Sequence, residues 1–344
     1  MTTKQISVCV ALLAYSIWLG ACADRPEKDK DTSRPATFGF QTGLDESLIA
    51  EGRLAYERYC IGCHGEQGDG KGDAAVFLDP KPRNFINAQY KFSSTRSGQL
   101  PKDEDLKRTI KYGLRGSAMP AFNLLPERKV DALVAYIKAF SPKWEEREPA
   151  AAIPFVGNPY MSPDDRDEAI ARGEKIYHGY AACWSCHPSY VSEAKINQYL
   201  VELGGSARTE FRANLFEPEG KPNDEGDLIY PPDFRRDFVR AGMSVEDLYR
   251  SIAAGISGTA MPTWVDSIHV PAENPDDPPI VSQADLWAMA YYVQDLIAQR
   301  PALLAEAQVE VRDRPRPIYL HGEPPAKPPE APATTQPVDV DFEF

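Results

Sequence analysis

Apolar residues recur along this chain with helical spacing, and no run shows the strict alternation of a substantial strand. Between Glu127 and Phe140, Val130, Leu133, Val134 and Ile137 form the stripe of a half-buried helix. Between Gln283 and Ala298 the same role falls to Leu286, Met289, Ala290, Val293 and Leu296. Shorter helices are expected over Leu48–Tyr59 and Asp103–Tyr112, the latter stopped by Gly113. Between the helical stretches, Ser141 to Asp165 holds Pro142, Pro149, Pro154, Pro159 and Pro163. The pattern predicts an all-α protein with helical domains at 44–141 and 166–299 and a linker at 142–165. A polar tether at 22–43 precedes them, and a Pro-rich tail at 300–344 follows.

The two halves are copies of one unit. Residues 104–122 read EDLKRTIKYGLRGSAMPAF and residues 246–264 read EDLYRSIAAGISGTAMPTW, identical at ten of 19 positions. Upstream, Cys60-Ile61-Gly62-Cys63-His64 is matched by Cys183-Trp184-Ser185-Cys186-His187. Between these markers, Pro82-Arg83-Asn84-Phe85 is matched by Pro231-Pro232-Asp233-Phe234. Several matches in one order identify a duplication.

Composition adds a constraint on partners. The 38 basic and 51 acidic residues give a net charge of −13, which disfavours nucleic acid or an anionic membrane surface as the main partner. The six cysteines are an even number, yet their spacing points away from disulfides. On a helix, positions i, i+3 and i+4 share a face. Cys60, Cys63 and His64, and likewise Cys183, Cys186 and His187, can therefore meet one flat ligand. Two sulfurs forming thioethers while an imidazole reaches iron is the chemistry of a covalently attached c-type haem, here two of them. A zinc site would need further compact Cys or His ligands, but His178, His269 and His321 are scattered. A thioredoxin-like pair would need a surrounding βαβ pattern and no adjacent His. For the sixth position on each iron, Met119 and Met261 stand in matching Gly-x-x-Gly-(Ser/Thr)-Ala-Met-Pro segments. Met243 is the rival for the second iron, and His178 is expected at the surface. The Gly68–Asp73 segment lacks the ending of a phosphate loop and the ligand spacing of an EF-hand, so a tight loop beside the attachment site is expected.

From Leu44 to Gln299 the chain resembles a di-haem cytochrome c built from two class I domains. The resemblance implies that the first and last helices of each domain cross at a Gly and an aromatic residue. Gly52 and Tyr56 against Tyr136, and Gly173 and Tyr177 against Tyr291, match that pattern. It also implies a Pro carbonyl that orients the proximal imidazole, for which Pro82 and Pro231 or Pro232 are the matches, with Arg83 facing a haem propionate. Two departures stand out. Gly173 lies ten residues before its first Cys, against eight for Gly52. There are 74 residues from His187 to Met261, against 55 from His64 to Met119. The extra stretch, about 195–227, has no counterpart in the resemblance.

At the N-terminus, Lys4 precedes a 15-residue apolar run from Ile6 to Gly20, too short for a spanning helix and suited to a signal peptide at 1–21. Leu19-Gly20-Ala21-Cys22 resembles a lipobox, which would leave Cys22 lipidated and the chain on the periplasmic side of a bacterial membrane. An uncleaved anchor or an ordinary cleaved signal is the alternative. With both irons ligated by His and Met, the expected role is electron transfer, not catalysis, toward redox partners with basic docking surfaces. The alternatives are a haem-bearing subunit of a larger quinol-oxidising, dehydrogenase or terminal oxidase complex, and a di-haem enzyme such as a peroxidase.

Overall fold

The computed structural model describes residues 46–300; the signal, Cys22, the whole tether and the tail from residue 301 lie outside the described residues. In the first half, α1 (Glu46–Tyr59) runs into the short α2 (Ile61–His64), followed by α3 (Asp103–Tyr112), α4 (Glu127–Lys138) and α5 (Lys143–Glu146). In the second, α6 (Arg166–Lys175) leads to α7 (Glu193–Glu202), a small hairpin of β1 (Lys221–Pro222) and β2 (Leu228–Ile229), α8 (Val245–Ala254) and α9 (Asp285–Ala298). The hairpin is antiparallel, with Lys221 opposite Ile229. Among the described residues no helix is long and apolar enough to cross a membrane.

Local chemistry sets the helix ends. The buried Asp105 carboxylate accepts the Lys102 amide and the Ser94 amide and hydroxyl, fixing the start of α3. At the start of α8 the Ser244 hydroxyl accepts the Asp247 amide. Both helices stop at glycines with positive φ, Gly113 at 63° and Gly255 at 74°, where a side chain would strain the backbone.

Each half has its own core. Tyr56, Phe85, Leu106, Val130, Leu133 and Phe140 pack in the first, and Ile176, Tyr177, Leu248, Leu286, Met289 and Leu296 in the second. The terminal helices of each half cross where a glycine removes the side chain. A Cβ on Gly52 would run into the Ala132 carbonyl and Tyr136, and one on Gly173 into the Ala288 carbonyl and Tyr292. The aromatic partner in the second half is therefore Tyr292, not Tyr291. One residue along a helix turns a side chain by about 100°, and Tyr291 faces the linker, bonding Asn158 and the Tyr160 carbonyl. The Pro-rich linker is an ordered strap: Ile153 N–H donates to Ser94 O at 2.8 Å, and Phe155 stacks on Tyr249 and Trp287.

The two extra residues between Gly173 and Cys183 are absorbed locally. Helix α6 widens into a π-helical turn over Ile176–Tyr180, closed by Ala181 N–H to Ile176 O at 2.8 Å. Ala182 then takes a left-handed conformation at φ 46°. The wider turn buries His178 completely, contrary to the surface position expected from the sequence. Its Nδ1 donates to Glu174 O at 2.9 Å, and its Nε2 accepts from Tyr190 N–H at 3.1 Å. In the first half the residue after the corresponding tyrosine is Glu57, exposed and paired with Arg53.

Candidate functional site

The Cys-x-x-Cys-His segments form one tight turn in both halves. Cys63 and His64 N–H donate to Cys60 O at 3.1 and 2.9 Å; Cys186 and His187 N–H donate to Cys183 O at 3.1 and 2.8 Å. The i, i+3, i+4 pattern gathers both sulfurs and the imidazole on one face. Burial pushes the Cys60 and Cys183 thiols up to about 12, so neither is a reactive thiolate. Among the described residues no three His, Cys, Asp or Glu side chains gather as a metal-binding group.

Each imidazole is held the same way. His64 Nδ1 donates to Arg83 O at 3.1 Å, and His187 Nδ1 to Pro232 O at 3.0 Å. Phe85 stacks on His64 and Phe234 on His187, at centroid distances of 4.5 and 4.8 Å. Both carbonyls come from the residue two before that Phe, which settles Pro232 over Pro231 and corrects Pro82 to Arg83. A backbone carbonyl carries no side-chain requirement, so proline is dispensable at this position. Pro82 O instead lies beside Gly70. Burial lowers the basicity of both imidazoles, His187 to about 4. A neutral ring with Nδ1 engaged leaves Nε2 for a metal.

Other braces repeat as well. Tyr56 Oη donates to Gly65 O at 2.8 Å, and Tyr177 Oη to Pro188 O at 3.1 Å, each the residue after the histidine. The Gly68–Asp73 segment folds back onto the first turn: Gly70 N–H reaches His64 O and Gly72 N–H reaches Cys63 O. The two methionine loops share a hydroxyl clip that sequence reading did not single out. Ser117 Oγ donates to Leu114 O and accepts Met119 N–H; Thr259 Oγ1 does the same with Ile256 O and Met261 N–H. Its signal was the Ser/Thr two residues before each Met. Met119 and Met261 are half-buried. The Met243 sulfur receives Arg115 Nη1 of the first half at 3.6 Å.

The extra stretch of the second half wraps its Cys-x-x-Cys-His turn. Trp184 is 5% exposed, packed with Ile196, Leu215 and Phe211, and Arg208 lies over its ring at 5.3 Å. The Arg212 guanidinium donates to the carbonyls of Trp184, His187, Asn214, Leu215 and Glu217. One cation thus ties the insertion to the attachment turn.

Residues 47–137 match the family model described as cytochrome C oxidase, cbb3-type, subunit III. A chain from the reducing HAO-like protein complex of Kuenenia stuttgartiensis is 31% identical, with 72% of this chain and 96% of that chain covered and a TM-score of 0.54. This chain is a c-type cytochrome. No curated protein matches it. Membership carries covalently bound haem c and electron transfer as its chemistry.

The residues present fit such a group. Tyr90 Oη and Trp144 Nε1 are buried without a hydrogen-bond partner in the protein. Burial disfavours the charge on Arg83, whose field acts on Tyr90. Two orphaned donors on the side of the His64 anchor suit the anionic carboxylates of a haem, while the Arg83 guanidinium pairs with Glu225 at 3.7 Å. In the second half the unpartnered buried atoms, Arg235 Nε and Tyr292 Oη, belong to side chains near His178.

Proposed function

We propose that this cytochrome carries two haems and relays single electrons between periplasmic or membrane redox partners, held to the membrane by a lipid on Cys22. In this reading the two class I domains span 44–141 and 166–299. Cys60 and Cys63 hold one haem and Cys183 and Cys186 the other. His64 and Met119, and His187 and Met261, are the iron ligands. The observation that carries the reading is the recurrence, in both halves, of a carbonyl-anchored, Phe-stacked histidine and a hydroxyl-clipped methionine loop. Haem c supplies an Fe(II)/Fe(III) couple, raised in potential by a methionine ligand. The chain's own residues fix the ring tautomers and stiffen the loops that present sulfur. With both axial positions filled by protein, no position is left for substrate, so the role is transfer and not catalysis. The −13 charge favours partners with basic docking surfaces and an association that weakens as salt rises.

A redox titration followed by visible spectra tests this. Two haems per chain, each with the weak near-red band of Met–Fe(III), are expected. Carbon monoxide or peroxide binding at one haem of the native protein would favour the enzyme reading. The likeness to a chain from a multi-protein complex supports a second reading, a haem-bearing subunit of a larger assembly. Co-purification from solubilised membranes, with and without residues 315–344, tests it; a native protein that runs alone in both cases removes it.

A further inference from the structure

The methionine loop of each half is packed against the other half. Gly116, in the Met119 loop, has φ 68°, and a Cβ there would lie 2.7 Å from Phe238 Cβ. Arg115 lies over the Phe238 ring at 5.9 Å and reaches the Met243 sulfur. On the second half's side, Arg300 lies over the same ring at 4.8 Å and donates to Asp237 O at 3.2 Å. Phe238 is thus gripped by cations from both halves while 51% exposed.

The reverse contact is made of hydrogen bonds. Ser97 N–H donates to Ala254 O at 2.9 Å and to Thr263 Oγ1 at 3.1 Å, and Gly98 N–H donates to the buried Ser257 Oγ at 3.1 Å. These three residues flank or form the Met261 loop. Arg96 adds a bidentate pair to Asp266, and Gln89 sits against Gly258 while bonding Asp224. Nothing in the 19-residue repeat itself requires this exchange.

We propose that the two halves position each other's methionine loops, with Phe238 holding the Met119 loop and the Ser97–Gly98 backbone holding the Met261 loop. This rests on the reading of Met119 and Met261 as iron ligands. A loop freed at its back releases its sulfur more readily, so the sixth position of one iron depends on residues of the opposite half. Phe238 and Ser97 are positioning residues and touch no reacting atom.

The test uses the full-length holoprotein and imidazole as a competitor for the sixth position. In a Met261→Ala background the near-red band reports the first site alone. There, Phe238→Ala is expected to tighten imidazole binding roughly tenfold, since loss of the aromatic and cation contacts is on the order of that factor. Phe238→Leu, which keeps a side chain behind Gly116, is expected to restore most of the difference. Ser97→Pro, which deletes the shared N–H, is expected to do the same at the second site in a Met119→Ala background. Phe238 is half exposed, so its truncation leaves the fold intact. Imidazole affinities within twofold of the parent in both variants would overturn the proposal. A parent protein with no near-red band would instead overturn the ligand reading beneath it.

Discussion

The Cys60–His64 turn and the Cys183–His187 turn have the same backbone bonds and the same histidine anchor, but opposite surroundings. Gly62 is exposed with open space around its α-carbon, and the nearby Val76 and Phe77 are 71% and 86% exposed. The equivalent stretch of the second half lies under α7 and the following loop, with Trp184 in a small core of its own and Arg212 across five carbonyls. Attachment chemistry constrains the turn itself and leaves its cover free to vary. One half thus presents an accessible edge and the other a closed one.

The largest expected break in this contrast is at the aligned pair Ile61 and Trp184. Trp184→Ala empties a core position and is expected to cost about 3–5 kcal/mol in the second half, whereas half-buried Ile61→Ala costs roughly 1 kcal/mol in the first. Thermal unfolding followed separately at each site by hydrogen exchange measures both; equal losses would mean that the cover contributes nothing. Arg212→Ala comes next, at about 2–3 kcal/mol, because several buried carbonyls lose a charged donor at once. Its signature is faster exchange at 184–217 with the first half unchanged.

Acid acts on the same asymmetry. Burial lowers His178 to about 4, while the unfolded chain holds the ordinary value near 6.5. Between those values the unfolded state binds more protons, so stability is full above about pH 6.5 and falls as the pH drops toward 4. The His178 contribution to that loss is about 2 kcal/mol by pH 5, and it has no counterpart in the first half, where Glu57 stands at the matching position. His178→Gln, compared with the parent by denaturant titration at pH 7 and pH 5, should lower the pH dependence by about that 2 kcal/mol; an unchanged difference between the two pH values would mean that His178 is not held neutral.

The residues proposed to hold haem were legible because that chemistry demands their type and spacing, and both Cys-x-x-Cys-His turns and both hydroxyl-clipped methionine loops recur in the two halves. What depended on backbone geometry was not. The histidine anchor is a carbonyl, and Arg83 supplies it as well as a proline does. The ten-residue spacing of the second half announced an irregularity, but not that a π-helical turn and a left-handed Ala182 would absorb it, nor that the turn would bury His178. The Tyr291 and Tyr292 exchange is a one-residue error of helical phase. The insertion carried no motif at all, because Arg212 acts on carbonyls scattered over 34 positions, from Trp184 to Glu217.

The smallest effect sharpens the open side of the comparison. Gly62 lies in a helical turn without a positive φ, and an added Cβ meets nothing within 4 Å. Ala there restricts the unfolded chain without crowding the folded one, so Gly62→Ala is expected to stabilise the first half by about 0.4–1 kcal/mol. A reciprocal Gly72→Ala should do the reverse, because its Cβ would run into the Ile61 and Gly62 carbonyls from the inner side of the same turn. Opposite signs at two glycines that face each other across one turn would locate the accessible edge on the outer face of Cys60–Cys63. A loss of stability in Gly62→Ala would mean that the first turn is covered too, and the distinction between an exposed and a closed half would fail at its open end.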